Sequence, residues 1–332
     1  MPAAAGRRGG TVLRLATRGS PLARRQAAMV GAALSAAHPG LVTQPVVVRT
    51  SGDRQPDVSL DRIGGQGAFT KEVQAAVADG RADVAVHSAK DLPPETPAGL
   101  TLTAVPERGD VRDALVGLPL EELPAGAVVA TGSPRRRAQL ANLRPDLTFA
   151  DLRGNMDRRL RQAESGSVAA VVAAMAALDR LGWSDRVAAV LPISLMLPQV
   201  GQGALALECR EGDRATTSIL AAVDHGPSRR AVAAERAFLS SIGGSCALPV
   251  GALGHPAPGG GLLLEAMVAS GDGRVVVRVV ERGDDPAALG CSLARRLLGE
   301  AGGSSIEGWA VEDGVTEGWD DDSAATVNGG VS

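Results

Sequence analysis

Aromatic residues and lysines are both scarce in this chain of 332 residues. It contains three Phe, three Trp and no Tyr, so a site built on stacked aromatic rings is not expected. Lys71 and Lys90 are its two lysines, whereas arginines number 32. Because almost every cation is an arginine, a lysine placed directly beside a carboxylate stands out, and this occurs at Lys90-Asp91.

Cysteine and histidine are too scattered for several classes of site. The three cysteines form neither a CxxC motif nor a disulfide framework, and the four histidines show no metal-ligand spacing, so no metal is expected. A long stretch without charge, 187–207, contains two prolines and two glutamines, which argues against a membrane helix. The N-terminus has a basic start but lacks the apolar segment of a signal peptide. These features predict a cytoplasmic protein without membrane contact.

Charge is distributed unevenly along the chain. The net charge is −3, but the residues from Glu307 onward include seven acids and no base. The first 306 residues carry 34 bases and 30 acids, which is too weakly basic for general nucleic-acid binding but suits a pocket for small anions. We expect residues 304–332 to form a disordered acidic tail.

The pattern of apolar segments predicts two α/β units followed by a smaller one. Over the first two-thirds of the chain, predicted strands alternate with helices whose starts are marked by Ser20-Pro21, Ser133-Pro134 and Asn155. An apolar segment at 205–209 is expected to return to the first unit, which would give two connections between the lobes. After Asp224, three alternating segments between two helices predict a small α+β domain with a three-stranded antiparallel sheet.

The length of the chain also indicates two or three domains. We expect domain 1 to comprise residues 10–105 and 203–224, domain 2 residues 109–199, and domain 3 residues 226–303. The predicted fold class is therefore α/β, with an α+β domain at the C-terminal end.

The segment His87-Ser88-Ala89-Lys90-Asp91-Leu92 closes an apolar strand, and strand ends are where α/β folds place their chemistry. A carboxylate beside an ammonium group can stay ionised, or exchange a proton, while it faces a developing positive charge. An isolated Lys-Asp pair is more commonly a simple strand-to-loop ion pair. The rest of the chain favours the catalytic interpretation of Asp91.

Arginines stand at three junctions between a strand and the next helix. Arg18 follows the first strand, Arg135 to Arg137 open the helix that Ser133 caps, and Arg153 precedes the helix that contains Arg159. Free backbone N–H groups and the helix dipole favour anions there, and guanidinium groups add bidentate donors. One such arginine would be an ordinary surface residue. Three junctions together predict a polyanionic ligand held between two lobes.

Cys246 is a candidate for covalent attachment of a ligand. It follows Gly243-Gly244-Ser245 and precedes Pro249, on a loop that turns sharply and could bring the thiol into a cleft. A lone cysteine is more commonly a small buried apolar residue. Cys209, in an apolar strand, and Cys291, on a Leu-rich helix, fit that structural interpretation.

A glycine-rich loop, Gly64-Gly65-Gln66-Gly67, precedes Phe69. It has neither the Walker pattern nor GxGxxG spacing, so a phosphate site is poorly supported. We expect a mobile lid with glycine hinges, in which Phe69 could cover a flat ring.

Taken together and in order, these segments resemble the hydroxymethylbilane synthase family, also called the porphobilinogen deaminases. The similarity runs from about residue 12 to residue 300. The matching stretches are LATRGSPLA at 15–23, GGQG at 64–67, VHSAKDLP at 86–93, LRGN at 152–155, RLG at 180–182, VGQGA at 200–204, AER at 234–236 and GSC at 244–246.

The resemblance implies two α/β lobes similar to type II periplasmic binding proteins, and a third domain whose cysteine carries a dipyrromethane cofactor through a thioether. It implies that this primer is extended by four porphobilinogen molecules, each of which loses ammonia, and that the linear tetrapyrrole is then released by hydrolysis. Each pyrrole carries an acetate and a propionate, so six rings would bring twelve carboxylates into the cleft. We expect a monomer whose partner is porphobilinogen, without nucleic-acid or membrane partners.

The resemblance also implies roles for individual residues. Asp91 would be the catalytic carboxylate, stabilising the pyrrole cation that forms as ammonia leaves. The cofactor would be bonded covalently to Cys246 and bound by Lys90, Ser133, Arg135, Arg136 and Arg153. The substrate acids and ring would be bound by Arg18, Ser20, Arg62, Phe69, Arg159 and Arg180.

Two positions depart from the family pattern. Gln66 stands where the family often has Lys, and Gly132 where it tends to have Ser, so one charge and one hydroxyl contact are missing. The main alternative is a two-lobed anion-binding protein without chemistry, which would leave Asp91 and Cys246 unexplained. A nucleic-acid protein that uses Arg135 to Arg137 is disfavoured by the acidic pI and the few aromatic residues.

Overall fold

The computed structural model describes residues 11–54, 67, 69–152, 154–243, 248–306 and 309. These residues form two α/β lobes, each with a five-stranded sheet, and a third unit with a three-stranded antiparallel sheet. The predicted fold class is confirmed. In these ranges, no helix is both long enough and apolar enough to cross a membrane.

The first half of the chain builds most of lobe 1 and enters lobe 2. Its elements are β1 (Val12–Arg18), α1 (Pro21–Ala37), β2 (Val42–Val48), the short helix α2 (Ser51–Arg54), α3 (Lys71–Ala78), β3 (Val84–Ser88), β4 (Leu100–Ala104), β5 (Asp113–Gly117), β6 (Val128–Ala130), α4 (Pro134–Leu143), β7 (Thr148–Ala150) and α5 (Met156–Glu164).

The second half completes both lobes and adds the third unit. Its elements are β8 (Ala170–Ala174), α6 (Met175–Leu181), β9 (Ala189–Leu191), β10 (Leu205–Arg210), α7 (Arg214–Leu220), α8 (Gly226–Ser241), β11 (Val250–Pro256), β12 (Leu262–Ala269), β13 (Val276–Gly283) and α9 (Pro286–Arg295). Sequence periodicity does not predict β5, β9 or α7.

The two five-stranded sheets have the same topology. Lobe 1 has the order β2-β1-β3-β10-β4, and lobe 2 the order β7-β6-β8-β5-β9. In each sheet three parallel strands are followed by one antiparallel strand, which is β10 in lobe 1 and β5 in lobe 2. The chain therefore crosses between the lobes twice, before β5 and before β10. The first crossing is bonded to the end of β8 (Met175 N to Arg112 O, 3.0 Å), the second to the end of β3, and the two crossings to each other (Gly109 N to Gly203 O, 3.1 Å).

A buried ion pair joins the two crossing segments to the third unit. Glu235 on α8 is fully buried and accepts two hydrogen bonds from the Arg108 guanidinium, at 2.6 and 3.1 Å. It also accepts from the backbone N–H groups of Gly201 (2.6 Å) and Gly254 (2.8 Å). Because all four donors act on one carboxylate, the hinge between the lobes is held against α8 and β11.

Candidate active site between the two lobes

Asp91 lies in a tight turn at the end of β3. Strand β3 is buried, as expected for a strand covered on both faces, and residues 89–91 form one turn of 3-10 helix after it. The turn is held by a hydrogen bond from Ala89 N to Ala204 O (3.0 Å). Gly201 has φ +71°, and a Cβ there would come within 2.9 Å of the backbone of Ala89 and Lys90. Only glycine therefore allows the second crossing segment to pack this closely against the turn.

A pocket opens beside Asp91 in lobe 1. It is bounded by residues from the end of β1, the start of α1, the start of α3 and the end of β3. These are Arg18, Ser20, Leu22, Ala23, Gln26, Phe69, Thr70, Val86, His87, Ser88 and Asp91. Four residues predicted to touch ligand or substrate, Arg18, Ser20, Phe69 and Asp91, are thereby brought to one pocket.

Arg18 is held in position at the rim of this pocket. Its guanidinium donates to Asp53 at 2.6 Å, and its central carbon lies 3.8 Å from the centroid of the Phe69 ring. Burial alone would raise the pKa of Asp53, but the hydrogen bond and charge of Arg18 outweigh it, so this pKa lies below its ordinary value. Asp53 is thus an anion that fixes Arg18. The Phe69 face that meets Arg18 is already covered.

Asp113 gathers two arginines of lobe 2 into a buried cluster. It begins β5, is fully buried, and accepts from Arg136 through Nη2 (2.7 Å) and Nε (3.1 Å) and from Arg135 through Nη2 (2.8 Å). Gln202 of the crossing segment donates a further bond to it at 2.8 Å. Burial opposes the charge on Asp113, yet the two arginines hold its pKa well below the ordinary range. One carboxylate neutralises only one of the two guanidinium groups.

Lys90 faces this cluster from lobe 1. Its ammonium lies 3.5 Å from Gln202 Oε1, at the geometric limit of a hydrogen bond. Burial, followed by the charge of Arg136, lowers the pKa of Lys90 from 10.5 to about 8, against the opposing effects of Asp91 and Asp113. The cleft therefore holds more positive charge than its own carboxylates compensate.

Arg159 and Arg180 add further cations from lobe 2. Burial lowers the pKa of Arg159, and the charges of Arg136 and Arg18 lower it further, whereas the charge of Asp91 raises it. Arg159 is therefore close enough to these three residues to interact with their charges. Arg159 Nε donates to Gly154 O at 2.9 Å. Burial also lowers the pKa of Arg180, whose Nη2 donates to Gly203 O at 2.5 Å. Arg180 thus reaches the crossing segment, next to the turn that carries Asp91.

Several predicted site residues have other contacts or lie outside the described residues. The Ser133 hydroxyl accepts from Arg136 N (3.4 Å) and caps α4, so its local role is helix capping. Arg62, Arg153 and Cys246, together with the loop at 64–66, lie outside the described residues. A Cβ at Gly132 would come within 2.8 Å of Leu152 O. The departure from Ser at this position therefore suits a close approach of two backbone segments.

The structure adds residues to the site that sequence reasoning missed. Asp113 and Gln202 organise the arginines, and Gln26 exchanges hydrogen bonds with Ser88 (2.9 and 3.2 Å) in the pocket wall. Gln202 lies within the VGQGA segment, so the motif indicates its position but not its contact with Asp113. Asp113 stands in no motif, and no local pattern indicates its two arginine partners.

The residues present fit a polycarboxylate ligand such as dipyrromethane. Besides the excess of positive charge, Arg135 provides a specific sign: its Nη1 and Nη2 are bonded to Leu197 O and Asp113, but its Nε is buried and has no hydrogen-bond partner among the described residues. A buried, charged donor without an acceptor is costly unless a ligand supplies one. A carboxylate that enters the cleft would supply it.

The fold and the site define a class of protein. It has two α/β lobes with a cationic cleft around Asp91, and a third unit that Glu235 bonds to the segments connecting the lobes. Two family models match the chain, "Porphobilinogen deaminase, dipyromethane cofactor binding domain" over residues 13–218 and "Porphobilinogen deaminase, C-terminal domain" over residues 230–299. The chain belongs to the porphobilinogen deaminase family.

Similar curated proteins agree with this assignment over nearly the whole chain. A porphobilinogen deaminase of Roseiflexus sp. (strain RS-1) is 46% identical over 299 residues, which cover 89% of this chain and 98% of that protein. One from Syntrophus aciditrophicus (strain SB) is 44% identical over 307 residues, covering 91% and 99%. Among solved structures, the methionine binding protein MetQ is 11% identical with a TM-score of 0.41, covering 64% of this chain and 89% of that one. A TM-score and a sequence identity this low support no statement about function.

Proposed function

We propose that this protein is a hydroxymethylbilane synthase, which joins four porphobilinogen molecules head to tail with loss of ammonia from each. Membership of the porphobilinogen deaminase family supports this activity. The observation that carries it in the structure is Asp91, a single carboxylate that lines a pocket and faces a cleft with excess positive charge.

The cleft residues would hold a dipyrromethane primer whose thioether is formed by Cys246. Lys90, Arg135 and Arg136 would bind its carboxylates, and Ser133 and Arg153 would border them at the two helix starts. When bound, the primer supplies the free pyrrole carbon to which each new ring is joined. Asp113 keeps Arg135 and Arg136 in place, because both guanidinium groups are fixed by hydrogen bonds to one buried carboxylate.

The substrate would enter the pocket beside Asp91. Its acetate and propionate would be bound by Arg18, Ser20, Arg159 and Arg180, with Arg62 as a further cation and Phe69 at the ring edge of the pocket. Arg18 is well suited to this role because Asp53 and Phe69 already fix its guanidinium. A side chain that is positioned beforehand loses less conformational entropy when the ligand binds.

Asp91 would act on the charge that develops in the substrate. When the C–N bond of the aminomethyl group breaks, ammonia leaves and a cation remains on the pyrrole; a carboxylate at that point stabilises it electrostatically. After the new C–C bond forms, the attacked ring carbon must lose its proton, and Asp91 can accept it. Lys90 neighbours Asp91 and places a positive charge next to that carboxylate; burial lowers the pKa of Lys90 to about 8.

The activity is tested by incubating the purified protein with porphobilinogen and measuring ammonia and the linear tetrapyrrole together. We expect four ammonia molecules released per tetrapyrrole formed. A protein that binds porphobilinogen but releases no ammonia would instead be a binding protein, and this outcome would refute the proposal. We also propose that the enzyme acts as a monomer in the cytoplasm without nucleic-acid partners; light scattering on the loaded protein tests the oligomeric state.

A further inference from the structure

Thr70 has a buried hydroxyl group without a hydrogen-bond partner. It is 1% exposed and occupies the N-cap position of α3, where a threonine hydroxyl ordinarily accepts from a backbone N–H of the first turn. Here the side chain makes no capping bond, and Oγ1 has no partner among the described residues. Buried hydroxyl groups are nearly always paired, so one that is not requires an explanation.

Thr70 also lines the pocket that contains Asp91. Other polar groups of that pocket wall have partners within the protein: Ser20 Oγ accepts from Ala23 N at 3.2 Å, Gln26 and Ser88 bond to each other, and Arg18 is bonded to Asp53. The Thr70 hydroxyl differs from these groups because neither its donor nor its acceptor capacity is used among the described residues. It lies next to Phe69 in the chain, and Arg18 stacks on that ring.

We propose that Thr70 is a substrate-binding residue whose hydroxyl donates a hydrogen bond to a carboxylate of the pyrrole that enters the pocket beside Asp91. This inference rests on the function proposed above. Arg18 lies in the same wall, and its guanidinium has donors besides those bonded to Asp53, so a carboxylate rather than an ammonium group is expected on this side. Because a carboxylate can only accept hydrogen bonds, the hydroxyl must be the donor.

The variant Thr70→Val tests the contact, since valine keeps the branched shape and removes the hydroxyl. A hydrogen bond to a charged group predicts a fall in kcat/KM of about 10- to 100-fold, mostly through a higher KM. Thr70→Ser keeps the hydroxyl and should restore most of the loss. The stability of the ligand-free chain gives a second readout: Thr70→Val should leave its urea midpoint unchanged or raise it, because the hydroxyl forms no bond there.

Thr103→Val is a matched control. The Thr103 hydroxyl in β4 is bonded, to Thr101 O (3.3 Å) and near Cys209 Sγ (3.0 Å), and Thr103 is not among the residues that line the pocket. This variant should lower the urea midpoint and leave KM unchanged. The proposal is supported if Thr70→Val raises KM without lowering the urea midpoint, while Thr103→Val lowers the urea midpoint without changing KM.

The outcomes separate this contact from the proposed function. An active wild type with equal kcat/KM in Thr70→Val would overturn the contact alone. A Thr70→Val variant with a lowered urea midpoint and unchanged KM would show a merely structural hydroxyl and would also overturn it. A wild type that neither binds porphobilinogen in calorimetry nor releases ammonia would overturn the proposed function, and the contact with it.

Discussion

The positive charge on Lys90 should destabilise the folded protein when no anionic ligand is bound in the cleft. A pKa lowered from 10.5 to about 8 corresponds to at most about 3 kcal/mol against the charged form in the folded chain. Lys90→Met removes the charge and keeps a flexible side chain of similar length. We therefore expect Lys90→Met to be more stable than the wild type at pH 7 in protein prepared without cofactor, by up to about 3 kcal/mol.

The pH dependence of this difference follows from the direction of the shift. Because the folded pKa of Lys90 lies below the unfolded value, the unfolded chain binds more protons between about pH 8 and pH 10.5, and wild-type stability rises with pH in that window. The advantage of Lys90→Met should be complete below pH 8 and vanish near pH 10.5. The other groups that titrate there are few, because the chain has no tyrosine; they include Lys71 and the three cysteines, which wild type and Lys90→Met share.

Urea unfolding at half-unit steps from pH 7 to pH 10 measures the effect. Lys71→Met is the control, since it removes the chain's other lysine, which is exposed at the start of α3. Loading with the cofactor should abolish or reverse the advantage of Lys90→Met, because the proposed carboxylates would then pair with the ammonium. Parallel stability curves for wild type and Lys90→Met in the cofactor-free protein would refute the reasoning.

Two further predictions concern the carboxylates. Asp91→Asn should keep the attached cofactor, as measured by intact mass. It should lower turnover by about 10²- to 10⁴-fold, because one charge is lost at the reacting centre. Ammonia release at a near-normal rate would show that Asp91 is not the catalytic carboxylate. Asp113→Asn should cost about 3 to 5 kcal/mol in urea unfolding at pH 7, since it leaves two buried arginines without a carboxylate. The stabilisation by Asp113 should be lost in the wild type as the pH falls below about 4. Asp110, the half-buried partner of the exposed Arg112, gives a control variant, Asp110→Asn, that should cost less than about 1 kcal/mol. Equal costs for the two variants would contradict the buried-cluster argument.

The parts of the fold that the sequence predicts well are those set by local contacts. Ser20, Ser133 and Asn155 each accept a hydrogen bond from the backbone three residues ahead, at 3.2, 3.4 and 3.0 Å, and start helices where predicted. These caps involve neighbouring residues, so the sequence alone contains the needed information. The return of β10 to lobe 1 is also confirmed by its pairing with β3 and β4.

The parts that the sequence does not predict depend on distant partners. Strands β5 and β9 have five and three residues, and β5 is defined by pairing with β8, more than 50 residues away. The role of Asp113 likewise exists only because β5 brings it beside Arg135 and Arg136 on α4. The unpaired state of Thr70 Oγ1 is a property of packing, which no motif records. The domain boundaries and the roles of individual site residues stay predictions.

The central claim is that a tethered pyrrole oligomer with many carboxylates lies in this cleft, attached to Cys246. Intact-mass analysis of the purified protein and of Cys246→Ser tests it most directly. We predict that the wild type carries additional mass equal to two linked pyrrole units and that Cys246→Ser has the mass of the bare chain. An active wild type with the mass of the bare chain would contradict the claim.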